Sequence, residues 1–241
     1  MNPVEHHKKG RHIRYDADIF NSIEEVSFES RVWAQRSAIV GFAEGRGTTF
    51  FIQHQGRDFV LRHYQRGGVV AKFSQDQYQW LGLRFTRPWR EWTLLDKMQK
   101  KGLPVPTPAA VMVERKGLFY RADIMMHRIP HARTLMDILK QEELAEGYWI
   151  TVGSVIRRFH EEGVYHADLN ANNIMLDDGG RCFLIDFDRC KIIKPKLKWQ
   201  KENLLRLKRS LNKTLKNEEQ FYFSDINWRS LLRGYGWNDI L

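Results

Sequence analysis

Thiols are scarce in this chain: of 241 residues only Cys182 and Cys190 are cysteine. Two cysteines flanking one short segment suit reduced, partly buried thiols better than a disulfide framework, and metal binding by them is not expected. Long apolar runs are missing as well. None approaches the roughly 20 residues that a membrane-crossing helix requires. The first twenty residues, which include Glu5, Lys8, Lys9, Arg11 and Arg14, lack the apolar stretch of a secretory signal. Repeats and low-complexity tracts are absent too, so one two-lobed unit in the cytoplasm is the simplest expectation.

Acids are the other shortage. Asp and Glu number 29 against 39 Lys and Arg, a net charge of +10. The excess is concentrated between Lys191 and Asn217, where ten basic residues face a single acid, Glu202. Leu204, Leu207, Leu211 and Leu215 recur there at helical spacing, with Trp199 near the start. Lys201, Arg206, Lys208, Arg209, Lys213 and Lys216 lie between them. This pattern predicts a basic amphipathic helix. Three uses stay open: a core-packed helix with a solvated face, a surface resting on anionic lipid, or a nucleic-acid patch.

What is present, above all, is an order of oxygen-bearing side chains. From His166 the chain reads His-Ala-Asp-Leu-Asn-Ala-Asn-Asn-Ile-Met-Leu, then a turn at Asp177-Asp178-Gly179-Gly180, then Cys-Phe-Leu-Ile-Asp-Phe-Asp. Transfer of a phosphoryl group to a hydroxyl needs a carboxylate to orient the hydroxyl and take its proton. It also needs hard oxygen ligands for the Mg2+ that accompanies ATP. Asp168 suits the first task, and Asn173 and Asp186 the second. The two apolar runs around the turn predict a hairpin that brings Asn173 and Asp186 together.

These residues resemble the catalytic loop and metal-binding motif of the protein-kinase-like superfamily. Ala167 stands where regulated protein kinases carry an Arg, and Asp188 replaces a Gly, as either a third carboxylate near the metals or a turn residue. In such enzymes His166 is a packing residue beside Phe187. The resemblance implies an α+β, protein-kinase-like bilobal fold. Its N-lobe, residues 1–126, would be an antiparallel sheet with one main helix, and its C-lobe, residues 127–241, mostly helical.

In the front half, 37–42, 48–52 and 59–64 read as a three-strand meander, and 110–113 and 120–126 as the last two strands of that lobe. Between the first two lies Glu44-Gly45-Arg46-Gly47, whose Gly45 and Gly47 would let backbone N–H groups approach ATP phosphates, unless it is a plain hairpin turn. Arg62 occupies the place of the usual phosphate-binding Lys, with Glu91 on the following helix as its expected partner. Arg66, Lys72 and Arg84 follow, to meet an acidic substrate or simply solvent. A further helix carrying Val152, Val155, Ile156 and Phe159 on one face is expected to stop at Gly163.

Beyond the superfamily, Gly45-Arg46-Gly47-Thr48, the run from Val60 to Gly68, Gly102-Leu103-Pro104-Val105-Pro106 and Tyr165 to Asn170 look like the lipopolysaccharide kinases of Gram-negative bacteria, especially those acting on 3-deoxy-D-manno-octulosonic acid (Kdo). The likeness covers roughly Gly41 to Leu215. It implies transfer of the ATP γ-phosphate to a hydroxyl of Kdo, the 4-hydroxyl being expected, on a lipid A precursor. It also implies residence at the cytoplasmic face of the inner membrane, on anionic lipid, with no nucleic-acid partner. The 53 residues after Asp188 are few for a peptide-binding lobe, which favours a small acceptor. A heptose or soluble-sugar kinase, and a non-catalytic kinase-like binding module, are the alternatives.

Overall fold

The computed structural model describes residues 1–43, 48–65 and 76–237. Two compact units divide them: Met1–Asp96 with Pro106–Arg128, and Lys97–Val105 with Ile129–Leu241. The first opens with a hairpin that sequence patterning did not signal, Pro3–Lys8 (β1) and Arg11–Asp16 (β2), turning at Lys9 and Gly10, both at positive φ. A short helix, Ser30–Gln35 (α1), also unanticipated, precedes the expected meander of Ile39–Ala43 (β3), Thr49–His54 (β4) and Arg57–His63 (β5). Tyr78–Gln79 (β6), the helix Arg87–Lys100 (α2) and the hairpin Pro108–Lys116 (β7) and Phe119–His127 (β8) complete the unit's elements. The strands form one antiparallel sheet in the order β1-β2-β7-β8-β5-β4-β3, with β6 on β8.

Strand alternation decides which face each side chain serves. Phe59 and Leu61 of β5 join Ile13, Tyr15, Phe20, Trp33, Ile52 and Met125 in one buried cluster. Arg62, one step out of phase, is turned to the opposite face and meets Glu91 of α2. The β1–β2 hairpin explains its own invisibility, because β1 is exposed along almost its whole length and carries no apolar alternation.

In the second unit, Ala132–Thr134 (β9), Leu135–Leu139 (α3), Glu146–Glu161 (α4) and Val164–Tyr165 (β10) lead to the hairpin Ile174–Asp177 (β11) and Cys182–Leu184 (β12). Lys191–Ile192 (β13), Leu197–Asn217 (α5) and Asp225–Tyr235 (α6) follow. The helix α4 does carry Val152, Val155, Ile156 and Phe159 inward, and Gly163 just beyond its end takes φ +75°. The helices α4 and α6 approach so closely that a Cβ on Gly153 would lie 1.9 Å from the Leu231 carbonyl oxygen, and one on Gly234 2.1 Å from that of Ile150. Backbone meets backbone at both points, so only glycine fits. Along α5, Trp199, Leu204, Leu207 and Leu211 are buried as expected, but Leu215 is 43% exposed, because the helix has run past the core by its last turn.

Candidate active site

The candidate site in the second unit is built around a buried histidine that ties two segments together. His166 is buried against Phe187, ring centroids 5.1 Å apart, and Phe187 in turn stacks on Phe159. Its Nδ1 accepts the Asp168 backbone N–H at 3.2 Å, so its Nε2 carries the proton and donates to the Ile185 carbonyl at 3.0 Å. Burial holds its pKa below the usual value, which keeps that neutral tautomer in place. One ring thus ties the loop after β10 to the end of β12.

A second tie comes from α5. Asn203, 1% exposed, accepts the His166 N–H at 3.2 Å through Oδ1 and donates to the His166 carbonyl at 3.0 Å through Nδ2. A third is Cys190, whose Sγ accepts the Ala167 N–H at 3.3 Å. Both cysteines are buried and neither is in a disulfide, and burial pushes the Cys182 thiol up to about 12, so it stays protonated.

On this frame the three predicted residues converge. Asp168 projects outward, its side chain 46% exposed, while its backbone carbonyl accepts from Asn170 Nδ2 at 3.1 Å and from Asn173 Nδ2 at 2.9 Å. Holding Asn173 by its nitrogen leaves its amide oxygen for another partner. The pairs Ile174–Leu184, Met175–Phe183 and Leu176–Cys182 form the expected hairpin, and Ile185 N–H donates to the Asn173 carbonyl at 3.0 Å, setting Asp186 beside Asn173 in the chain path. Asp186 has φ +60°, a left-handed conformation that costs a non-glycine residue of order 1 kcal/mol or more and is typical of residues held for function. Asp188 and Arg189 fill the middle of a turn closed by Cys190 N–H to the Phe187 carbonyl at 3.0 Å, with Arg189 at φ +63°.

No cluster of three or more His, Cys, Asp or Glu able to hold a metal exists among the described residues. One amide oxygen and one carboxylate suit a cation that takes most of its ligands from phosphates and water, as magnesium does, and do not suit zinc.

The first unit carries a different assembly. Arg62 donates from one guanidinium nitrogen to both Glu91 oxygens, at 2.9 and 2.8 Å, and the buried Tyr64 hydroxyl donates to the same carboxylate. Glu91 is 2% exposed, so it is not a surface glutamate. Burial, and then the Glu91 charge, hold the Tyr64 phenol well above its usual pKa. Arg84 is exposed and lies over the Phe85 ring. The predicted phosphate-covering Gly45 and Gly47, together with Arg66 and Lys72, lie outside the described residues.

Sequence reading missed one charged neighbour of Asp168. Arg206 Nη1 of α5 lies 3.7 Å from Asp168 Oδ1. Arg206 follows Asn203 by three residues and therefore shares its side of the helix, so the residue that holds His166 also sets the neighbour of Asp168. A signal existed for Asn203, a polar residue inside an otherwise apolar helical stripe. For Arg206 there was none beyond its charge.

The chain matches the lipopolysaccharide kinase (Kdo/WaaP) family over residues 30–235. It is 39% identical over 226 residues to the 3-deoxy-D-manno-octulosonic acid kinase of Photobacterium damsela subsp. piscicida, covering 93% of each chain. It is 42% identical over 219 residues to the enzyme of that name from Mannheimia succiniciproducens, covering 88% of this chain and 90% of that one. Among solved structures, the kinase PK-1 of Cydia pomonella granulovirus aligns with a TM-score of 0.46 at 15% identity, over 68% of this chain and 56% of that one.

Proposed function

This chain belongs to the lipopolysaccharide kinase (Kdo/WaaP) family and is a phosphotransferase that uses ATP; on that premise we propose that it phosphorylates a hydroxyl of Kdo, the 4-hydroxyl, on a lipid A precursor. The observation that carries the reading is the bond from Asn173 Nδ2 to the Asp168 carbonyl together with that from Ile185 N–H to the Asn173 carbonyl, which brings Asp168, Asn173 and Asp186 to one place. Asp168, outward-facing and fixed at its backbone, aligns the sugar hydroxyl and takes its proton. Asn173 and Asp186 would hold Mg2+, which when bound neutralises charge on the phosphates. Arg62, held by Glu91 and Tyr64, would meet phosphate oxygens with a guanidinium that cannot lose its charge. Rate then comes mainly from positioning.

The acceptor is lipid-linked, and the helix α5 offers a face to meet its membrane. Lys198, Arg209, Lys213 and Lys216 are exposed on the side opposite Leu204, Leu207 and Leu211. Each such charge near anionic lipid contributes about 1 kcal/mol. No helix among the described residues is long and apolar enough to cross a membrane, so this face supports peripheral attachment at the cytoplasmic leaflet. Changing the four to Gln should abolish co-sedimentation with phosphatidylglycerol vesicles; undiminished binding would refute the attachment.

The central test is transfer from γ-labelled ATP with magnesium to Kdo-bearing lipid A precursor, against sugar-free lipid and against Asp168→Ala. Transfer that needs both Kdo and Asp168 supports the assignment, and NMR of the product locates the phosphate. Transfer to heptose-bearing or soluble sugars instead would replace Kdo as the acceptor. No transfer to any of them by a folded protein that binds ATP would favour the binding-module alternative.

A further inference from the structure

Resting on the Kdo reading, we propose that Arg206 is the residue that recognises the carboxylate of the acceptor sugar, and so selects an acidic sugar over a neutral one. The position is the first argument. Arg206 lies 3.7 Å from the carboxylate that takes the acceptor's proton, and both side chains are close to half exposed, 45% and 46%. At that separation the two charges attract without a hydrogen bond, and in water such a pair holds little of the structure together. What Arg206 contributes must therefore lie with whatever else comes to that place.

The second argument is electrostatic. An acidic acceptor brings a carboxylate toward the Asp168 carboxylate and toward phosphates whose charge a magnesium ion would offset only in part. A sugar acid seated there without a cation would be repelled. The planar guanidinium presents paired N–H donors matched to a carboxylate, and it can reach one while still adjoining Asp168. A neutral sugar gains nothing from it.

The third argument is preorganisation. Arg206 rises from a helix whose Asn203, three residues earlier, is bonded to both backbone groups of His166. The cation and the catalytic loop are thereby held in one register, which is what discrimination between two groups on one sugar ring requires. Arg206 also lies at the edge of the exposed face of α5 that continues through Arg209, Lys213 and Lys216, so an acceptor with further anionic groups would meet cations in sequence as it extends from the reacting hydroxyl.

The test uses the full chain, Kdo-bearing lipid A precursor, and the same acceptor with its C1 carboxylate converted to the carboxamide. Native protein should prefer the carboxylate in kcat/KM by about 10- to 100-fold, the range of a charge-assisted hydrogen bond. In Arg206→Gln that ratio should fall to near one through KM for the acceptor, and Arg206→Lys, which keeps the charge and loses the fork, should fall between. A native protein that uses both acceptors equally would overturn the proposal without any variant. So would a Gln variant that loses the same factor on both, which would make Arg206 a positioning residue for Asp168, or one whose loss appears in KM for ATP, which would make it a phosphate contact. Native protein inactive on both acceptors but active on a neutral sugar would instead overturn the Kdo reading, and this proposal with it.

Discussion

Two ion pairs of like composition sit in very different surroundings. Arg62 and Glu91 meet at 2.8 Å with the carboxylate 1% exposed at its side chain. Arg206 and Asp168 stand 3.7 Å apart with both partners nearly half in water. In the first pair the Glu91 carboxylate has left solvent, and separating it from Arg62 removes the counter-charge of a buried group, so the fold holds that geometry. The second can open at little cost, so either partner can turn to a substrate group. Burial, more than residue type, separates a pair whose geometry is set by the fold from one whose partners stay open to solvent.

The largest effect that would sharpen this contrast comes from Asp168→Asn. Loss of the base should lower kcat by about 10²- to 10⁴-fold. Stability should hardly change, because Asn170 and Asn173 bond the Asp168 backbone carbonyl and not its carboxylate. Thermal unfolding alongside steady-state transfer checks both halves. A large drop in Tm would break the comparison by showing the exposed pair to be structural.

Next comes Glu91→Ala, where the order should invert. Arg62 would lose the two bonds it makes to Glu91, and the buried Tyr64 hydroxyl would lose the carboxylate it donates to. Removing one partner of a buried pair costs about 3 kcal/mol, toward the lower end of the usual range because the Arg62 side chain is 24% exposed. Chemical denaturation should show this in the absence of ATP. A variant of native stability that merely loses ATP affinity would mean the pair is as dispensable to the fold as the exposed one.

A titratable group whose pKa is moved chiefly by burial separates burial from pairing. His160 is 1% exposed, shares a hydrogen bond with Tyr235 Oη at 2.8 Å and lies edge-on to Trp199. Burial lowers its pKa from 6.5 to about 4. A base whose folded pKa lies below its unfolded one is protonated first in the unfolded chain. Its contribution is therefore complete above pH 6.5 and is lost as pH falls from 6.5 toward about 4. At roughly 1.4 kcal/mol for each pH unit of that displacement, the loss is about 3 kcal/mol. His166, lowered by burial in the same direction, adds to it. Denaturation midpoints measured from pH 7.5 to 4.5 should fall steadily, and less steeply in His160→Gln; parallel curves would show that this histidine does not carry the acid sensitivity.

How far all this was legible follows from sequence distance. The meeting of Asp168, Asn173 and Asp186 could be read because a local hairpin brings their segments together. The partnership of Arg62 and Glu91 was readable only through resemblance, since it spans 29 residues and depends on which face of β5 turns to α2. The bonds that Asn203 and Cys190 make to the loop of Asp168 were not legible, although Cys190 itself was expected to be a buried thiol, because they reach it from 37 and 23 residues away and no spacing rule reports such a contact. Leu215 shows the opposite error, a correct helical period extended beyond the point where there was a core to meet.

The smallest predicted effect is the one that most directly tests the exposed pair. Arg206→Ala removes a charge 3.7 Å from Asp168 and shortens a side chain already largely in solvent. An exposed pair of this kind contributes about 0–1 kcal/mol, and Ala at an exposed helical position loses no helix propensity relative to Arg. The two small terms oppose each other, so the unfolding free energy should stay within about 0.5 kcal/mol of native. The same position is asked to change acceptor choice by one to two orders of magnitude. If stability fell instead by as much as in Glu91→Ala, α5 and the loop would be held together by Arg206 as well as by Asn203, and the division of labour between buried and exposed charge would not describe this protein.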